Sequence, residues 1–158
     1  MTTDVRRTLL FLIRDDEILL ALKKRGFGAG RWNGVGGKLE PGETIEQALI
    51  RECQEEINVT PLSYRPVAEL DFYGGSVAEP WHMYVYAYLC DEWGGEPAES
   101  EEMAPQWYRI SDIPYTAMWQ DDEHWLPLVL DDKIIKASFY FDEHDALVNY
   151  EVKELPKL

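Results

Sequence analysis

The chain has 158 residues, and 30 acidic against 15 basic residues give it a formal net charge of −15. That charge argues against a protein that coats DNA, RNA or anionic lipid, and a hydrophobic content of 46% argues against disorder. The length suits one domain with its own core. Two cysteines, Cys53 and Cys90, are too few for a disulfide framework and predict a reducing compartment, the cytoplasm. The apolar run Leu9–Ile13 is too short to cross a bilayer.

The charge is unevenly distributed. Residues 1–38 hold 8 of the 15 basic residues and 4 acids, whereas residues 91–102 hold six acids and no basic residue. A run of like charges is most often solvated surface, which is our default interpretation for residues 91–99.

Hydrophobic patterning predicts a mixed α+β order in one domain. The first half predicts strands at Thr8–Ile13 and Ile18–Lys23, a glycine-rich loop at 26–37, and a helix at Thr44–Ile57. The second half predicts strands at Leu62–Tyr73, Trp81–Cys90, Gln106–Ile110, Lys133–Phe141 and Ala146–Val152, with a short helix at Asp121–Leu130. Gly74-Gly75 is typical of a hairpin connection.

The Thr44–Ile57 helix carries its own start and stop signals. Thr44 with Gln47 forms a capping box, and Asn58 can end the helix in the left-handed conformation.

This helix places acids where apolar residues are expected. With about 100° per residue, Glu52 and Glu56 fall inside the stripe that Ile45, Ala48, Leu49 and Cys53 define, and Glu55 falls at its edge. Buried carboxylates without partners are costly, so we predict that all three converge on a hard cation such as Mg²⁺. The alternative is a surface ion-pair network with Arg51 and Lys38, which explains Glu55 better than it explains Glu52 and Glu56.

The pattern Gly37-x5-Glu43-x7-Arg51-Glu52-Cys53-x-Glu55-Glu56-x-Asn58-Val59 closely resembles the box of the Nudix hydrolases. Six fixed positions match, and chance would give this in about one window in ten million. The resemblance implies one Nudix domain over residues 1–158, with its box at 37–59 and an α/β/α sandwich around a mixed β-sheet. Asn58 replaces the usual glycine and Cys53 an aliphatic residue, and neither change touches the acids.

The resemblance also assigns roles. It implies Glu52, Glu55, Glu56 and the Gly36 carbonyl as ligands of Mg²⁺, with Mn²⁺ as an alternative. Glu43 and Arg51 would pair to brace the loop against the helix. The metal would neutralise phosphate charge and acidify the attacking water. Glu52 and Glu102 are both candidates for the general base, and for Glu102 a plain solvated position is an equal alternative.

Segments outside the box resemble one branch of the family, the MutT-like oxidised purine nucleoside triphosphatases. The matching segments are the run from Lys23 to Gly34, Glu102-Met103, Met118-Trp119, Asp121-Asp122, and Trp125 with Pro127-Leu128. By that resemblance the base is recognised by Asn33, Trp119, Asp121 and Asp122, the pocket is lined by Thr8, Phe27, Phe72 and Met83, and Lys23 reaches the triphosphate.

The chemistry of these side chains suits a purine. Trp119 offers a stacking face, Asn33 offers a donor and an acceptor, and one of two adjacent carboxyls can be held protonated in a closed pocket. Each has a plain structural alternative. Trp119, Phe72 and Met83 could be core, Asp121-Asp122 could favour a helix dipole, Asn33 could serve a turn, and Lys23 could be solvated.

The resemblance therefore implies hydrolysis of oxidised purine (deoxy)nucleoside triphosphates, such as 8-oxo-dGTP and 2-hydroxy-dATP, to the monophosphate and pyrophosphate. This reaction would clear damaged precursors from the nucleotide pool. Alternatives are a Nudix hydrolase of ADP-ribose, a dinucleoside polyphosphate or a methylated purine triphosphate, or a binding module that has lost catalysis. We expect a monomer that acts on a small nucleotide, with no nucleic-acid polymer and no membrane as partner.

Overall fold

The structure is a computed structural model and describes residues 3–158, so Met1 and Thr2 lie outside it. It contains eight strands, two α-helices and two single 3-10 turns at Ile110–Asp112 and Tyr115–Ala117. The strands are β1 (Thr3–Arg14), β2 (Glu17–Lys23), β3 (Trp32–Asn33), β4 (Thr60–Gly75), β5 (Pro80–Gly94), β6 (Met103–Arg109), β7 (Ile134–Phe141) and β8 (Leu147–Leu155). The helices are α1 (Ile45–Ile57) and α2 (Asp122–Leu130).

The strands form one mixed sheet in the order β3-β2-β1-β5-β4-β7-β8, and β6 pairs with β2. The pairs β1·β5 and β4·β7 are parallel, while β4·β5 and β7·β8 are antiparallel. This arrangement confirms the predicted α+β class with a mixed sheet.

The two helices cover opposite faces of the sheet. Along β1, Leu10 and Leu12 belong to the core cluster that contains Leu49 of α1, whereas Phe11 belongs to the cluster that contains Trp125 of α2. Successive side chains of a strand point to opposite faces, so the sheet separates two cores, as a sandwich requires.

The ends of α1 follow the local sequence signals. The Thr44 hydroxyl accepts the N–H of Gln47 at 3.1 Å, and the Gln47 side chain accepts the N–H of Thr44 at 2.9 Å. Asn58 ends the helix at φ 61°, in the left-handed region. The predicted capping box and stop are both confirmed.

Several strands extend beyond the predicted bounds. β1 begins at Thr3 rather than Thr8, because its first residues pair with β5, from Thr3 opposite Trp81 onwards. β4 and β5 likewise run on as far as Gly75 and Gly94. Within residues 3–158, neither helix has the length and apolar character needed to cross a membrane.

Candidate active site

Gly36 and Gly37 bring the loop before α1 into contact with two glutamates of the helix. The Gly36 N–H donates to Glu56 Oε1 at 2.9 Å, and the Thr8 N–H donates to the Gly37 carbonyl at 2.9 Å. A Cβ on Gly37 would lie 2.6 Å from the Glu52 carboxyl group, and one on Gly36 would lie 1.9 Å from the Thr8 carbonyl oxygen. Only glycines allow this approach of strand, loop and helix.

Glu52 and Glu56 are the carboxylates that α1 turns inward. Glu56 is only 4% exposed, and burial, with the nearby charge of Glu52, raises its pKa to about 7. Burial also raises the pKa of Glu52, against the opposing effect of its hydrogen bond from Arg51. Two desolvated carboxylates side by side are an arrangement that a bound cation stabilises.

Arg51 ties the loop to the helix. Its Nε and Nη2 donate to the two oxygens of Glu43 at 2.7 and 2.9 Å, and its Nη2 also donates to the Lys38 carbonyl at 3.1 Å. Its Nη1 donates to Glu52 at 2.9 Å. The Arg51 guanidinium lowers the pKa of Glu43 to about 2. A two-pronged pair of this kind fixes orientation as well as distance.

Glu55 is far more exposed than the other two predicted ligands. Its side chain is 59% exposed and accepts from Arg51 Nη1 at 3.2 Å. Within residues 3–158, no three His, Cys, Asp or Glu side chains converge as they stand in a way that could hold a metal ion. Glu52 and Glu56, with the loop at Gly36, still fit a divalent cation by their oxygen donors and raised pKa values. Glu55 accepts from the same Arg51 nitrogen as Glu52 and would have to give up that bond to join them.

Glu102 lies in an ion-pair cluster that joins the loops after β2 and β5. Its carboxylate oxygens are 3.3 Å from Arg25 Nη2 and 3.5 Å from Lys23 Nζ, and these cations lower its pKa. Lys24 pairs with Glu99 in the same cluster. Part of the acidic 91–102 segment is therefore paired rather than merely solvated.

A cavity extends from Gly36 across the sheet towards α2. All nine residues predicted for substrate binding line it, namely Thr8, Lys23, Phe27, Asn33, Phe72, Met83, Trp119, Asp121 and Asp122. Gly36 lines it as well and bonds Glu56 through its N–H. The cavity thus adjoins Glu56 through Gly36.

The Trp119 ring is already in contact with other side chains of the protein. Phe27 stacks on it with ring centroids 5.1 Å apart and planes at 28°, and the Arg31 guanidinium carbon lies 4.0 Å from its ring centroid. Phe27 is half-exposed and stands between Gly26 and Gly28, both at positive φ. A base that stacks on the part of Trp119 covered by Phe27 or Arg31 must therefore displace that neighbour.

Asp121 and Asp122 are both almost fully buried. Asp121 Oδ2 accepts from Trp125 Nε1 at 2.9 Å, whereas Asp122 Oδ2 has no hydrogen-bond partner among the described residues. Burial raises both pKa values, and the charge of Asp121 raises that of Asp122 further. The Asp121 side chain makes no capping hydrogen bond, although Asp122 and Glu123 lie in the first turn of α2, as the helix-dipole alternative expects. Burial and the neighbouring charge favour the protonated form of Asp122, which has an O–H donor.

Asn33 and Thr8 add further polar groups to the cavity. Asn33 Oδ1 accepts the N–H of Gly34 at 2.8 Å, so the two N–H donors of its amide and one lone pair of its oxygen are left for a ligand. Thr8 Oγ1 is buried with no partner within the described chain. Both side chains therefore offer unused hydrogen-bonding capacity.

Sequence reasoning missed several cavity residues, including Arg7, Trp81 and Phe141. Arg7 precedes the first strand that the hydrophobic pattern predicts, because its pairing with Val85 of β5 is not a local signal. The sequence pattern predicts Trp81 only as the first residue of a strand. Its neighbour in the ladder is Gly74, where a Cβ would lie 2.2 Å from the Trp81 ring. The Gly74-Gly75 pair, assigned only to a turn, was the signal available.

The site combines a glycine loop, a helix that turns two glutamates inward, and an adjoining cavity of aromatic side chains with a few buried polar groups. This combination defines the class of protein as a Nudix hydrolase. A model of the NUDIX domain family matches residues 4–129, and the chain belongs to the Nudix family. Its resemblance to the Nudix box is thereby confirmed. The protein is a Nudix hydrolase, and members of this family generally use a divalent metal.

Two curated relatives match over essentially their whole length. The chain is 42% identical to an oxidized purine nucleoside triphosphate hydrolase of Danio rerio over 158 residues, covering 100% of both chains. It is 40% identical to the protein of the same name from Mus musculus, covering 98% of both. Among solved structures, a MutT protein of Bacillus halodurans superposes with a TM-score of 0.83 at 23% identity, covering 94% of this chain and 97% of that one. That last likeness concerns the fold alone.

Proposed function

We propose that this protein hydrolyses oxidised purine (deoxy)nucleoside triphosphates, such as 8-oxo-dGTP and 2-hydroxy-dATP, to the monophosphate and pyrophosphate. The observation that carries the proposal is that all nine predicted substrate residues line one cavity contiguous with Glu56. The full-length similarity to oxidized purine nucleoside triphosphate hydrolases supports the substrate class. The free, buried cysteines Cys53 and Cys90 suit work in the reducing cytoplasm.

The base end of the cavity suits an oxidised purine. Aromatic rings can stack on any base, so discrimination must come from hydrogen bonds. A protonated Asp122 donates to a carbonyl oxygen, while an ionised Asp121, held by Trp125, accepts from a ring N–H. An 8-oxo group adds one carbonyl and one N–H to the purine, and each finds a complementary group in this pair.

Glu52 and Glu56, together with the Gly36 carbonyl, would hold Mg²⁺ at the phosphate end, and Glu55 would join them after leaving Arg51. When bound, the metal neutralises charge on phosphate oxygens and acidifies a water ligand. Glu43 and Arg51 keep α1 aimed at this point through the hydrogen bonds described above. Lys23 lines the same cavity and carries positive charge towards the phosphates.

For the general base we favour Glu52 over Glu102. The ion pairs of Glu102 with Arg25 and Lys23 lower its pKa and make it a weaker proton acceptor. Burial has the opposite effect on Glu52. Accordingly, Glu52→Gln should lower turnover by about a thousandfold, and Glu102→Gln by less than about tenfold. The reverse order would assign the base to Glu102.

The substrate proposal is tested by product analysis with Mg²⁺. The panel contains 8-oxo-dGTP and 2-hydroxy-dATP beside dGTP and dATP, with ADP-ribose, a dinucleoside polyphosphate and a methylated purine triphosphate as the alternative substrates. We expect the highest kcat/KM for an oxidised purine, with monophosphate and pyrophosphate as products. If the oxidised nucleotides are no better than their normal counterparts, or if an alternative substrate is preferred, the proposal is wrong.

A further inference from the structure

Arg7 places a positive charge in the cavity, at the end that faces the carboxylates of α1. It is partly buried on β1 and pairs in the ladder with Val85 of β5. Val85 and Leu9, two residues further along β1, line the same cavity. Arg7 is itself among the residues that line this cavity, so its side chain borders the space that a ligand would occupy.

The Arg7 guanidinium lies near the charges of Glu52 and Glu56 but forms no ion pair with either. Partial burial lowers the pKa of Arg7, while the charges of Glu52 and Glu56 raise it, and a guanidinium stays protonated throughout the ordinary pH range. Among the described side chains, no carboxylate oxygen lies within the 4.0 Å of an ion pair to Arg7. Arg51, by contrast, is bonded to Glu43, Glu52 and Glu55. A partly desolvated cation without an ion pair gains free energy when an anion binds beside it.

We propose that Arg7 binds a phosphate group of the nucleotide, between the base pocket and the carboxylates of Glu52 and Glu56. This inference rests on the proposed function, because it takes a nucleoside triphosphate as the ligand. A substrate whose base lies near Asp121 and Asp122 must direct its phosphates towards Glu56, and Arg7 borders that path. The planar fork of a guanidinium matches two phosphate oxygens, which a lysine cannot match.

The plain alternative is that Arg7 only balances the charge of Glu52 and Glu56. The two roles differ in what they do to ligands. A phosphate contact contributes to the affinity of a nucleotide and adds nothing to that of a nucleoside. A mere counter-charge contributes to neither, and its removal strengthens binding of Mg²⁺ or Mn²⁺ to the carboxylates.

The test measures the affinity that phosphates add. Calorimetry in Mg²⁺ compares the non-hydrolysable α,β-methylene analogues of dGTP and 8-oxo-dGTP with the two corresponding nucleosides. The variants are Arg7→Gln and Arg7→Lys, and the matched control is Arg6→Gln. Arg6 is the exposed neighbour on the other face of β1, 5.4 Å from the centroid of the Tyr86 ring, and its replacement removes the same charge.

We expect Arg7→Gln to weaken both triphosphate analogues by about 10- to 100-fold, the range for hydrogen bonds to a charged group, and to leave both nucleosides unchanged. Arg7→Lys should recover only part of the loss, and Arg6→Gln should stay within about twofold of the wild type. Thermal unfolding in chelator checks that the variants are folded.

Three results would overturn the assignment: an equal loss for nucleosides and nucleotides, no loss for either, or stronger metal binding without weaker nucleotide binding. The substrate proposal fails separately, if the wild type binds the 8-oxo analogue no more tightly than the dGTP analogue. In that case the comparison of the dGTP analogue with its nucleoside still measures what Arg7 contributes to binding of the phosphates.

Discussion

Replacing Glu56 with glutamine should stabilise the metal-free fold and at the same time abolish catalysis. Glu56 is 4% exposed, and burial raises its pKa from 4.5 to about 7. Between those two values the folded chain keeps a proton that the unfolded chain has released. The free energy of unfolding therefore falls as pH rises through this window, and the full cost is present above pH 7.

The magnitude follows from the two pKa values. Each pKa unit corresponds to about 1.4 kcal/mol, so the rise from 4.5 to about 7 costs the metal-free protein about 3 kcal/mol at pH 8. Glutamine is neutral at every pH and can still accept the Gly36 N–H. Glu56→Gln should therefore gain up to about 3 kcal/mol at pH 8 and almost nothing at pH 4.

The assay is urea unfolding of both proteins in chelator at pH 4 and pH 8, repeated with Mg²⁺ at pH 8. Mg²⁺ should raise the stability of the wild type and have much less effect on the variant, because a ligand stabilises only a fold that binds it. Turnover should fall by about a hundredfold or more. Glu55→Gln is the control on the same helix, since Glu55 is largely exposed and its removal should leave metal-free stability almost unchanged.

The reasoning is refuted if Glu56→Gln is less stable than the wild type at pH 8 in chelator, because the buried carboxylate would then contribute favourably. An equal Mg²⁺ effect on wild type and variant would refute the role of Glu56 as a ligand. Full turnover in the variant would do the same.

Three further substitutions test the cavity and the brace. Asp122→Asn should flatten the rise in KM for 8-oxo-dGTP that we expect in the wild type as the pH is raised, because raising the pH removes the proton that burial favours on Asp122; parallel KM profiles of the wild type and the variant would contradict this. Gly74→Ala should cost about 1–3 kcal/mol in urea unfolding and raise KM, since its Cβ would lie 2.2 Å from the Trp81 ring. Gly94→Ala, in open space on β5, is its control, and equal effects of the two would count against a role for Trp81. Arg51→Lys should weaken the apparent affinity for Mg²⁺ by about 10- to 100-fold in a metal titration of activity, because an ammonium cannot reproduce the two-pronged contact with Glu43 while it also bonds Glu52; an unchanged titration would remove Arg51 from the metal site.

The features that depend on neighbours in the chain were predictable. The helix from Thr44 to Ile57 has its cap, its stop and its acidic stripe within 15 residues, and the structure contains all three. The inward position of Glu56 followed from helical periodicity alone. Family membership followed from the same short segment, because the spacing of the box is set by one loop and one helix.

The features that depend on distant pairing were not predictable. The early start of β1, and with it the cavity-facing position of Arg7, results from parallel pairing with β5, which lies more than 70 residues away. The pairing of Glu55 with the Arg51 nitrogen that also bonds Glu52 depends on how Glu43 holds that guanidinium. The stacking of Phe27 and Arg31 on Trp119 joins two segments far apart in the chain.

The net charge of −15 illustrates the same division. From the sequence alone, the excess of acid argues against binding of nucleic-acid polymers, and helical periodicity places three glutamates together on one helix. Only the tertiary structure decides which acids carry chemistry, because burial changes the charge of a carboxyl group. The fold leaves Glu55 largely exposed to solvent but buries Glu56 and Asp122, which raises the pKa of both. It also pairs Glu102 with cations and places Arg7 at the cavity beside these acids.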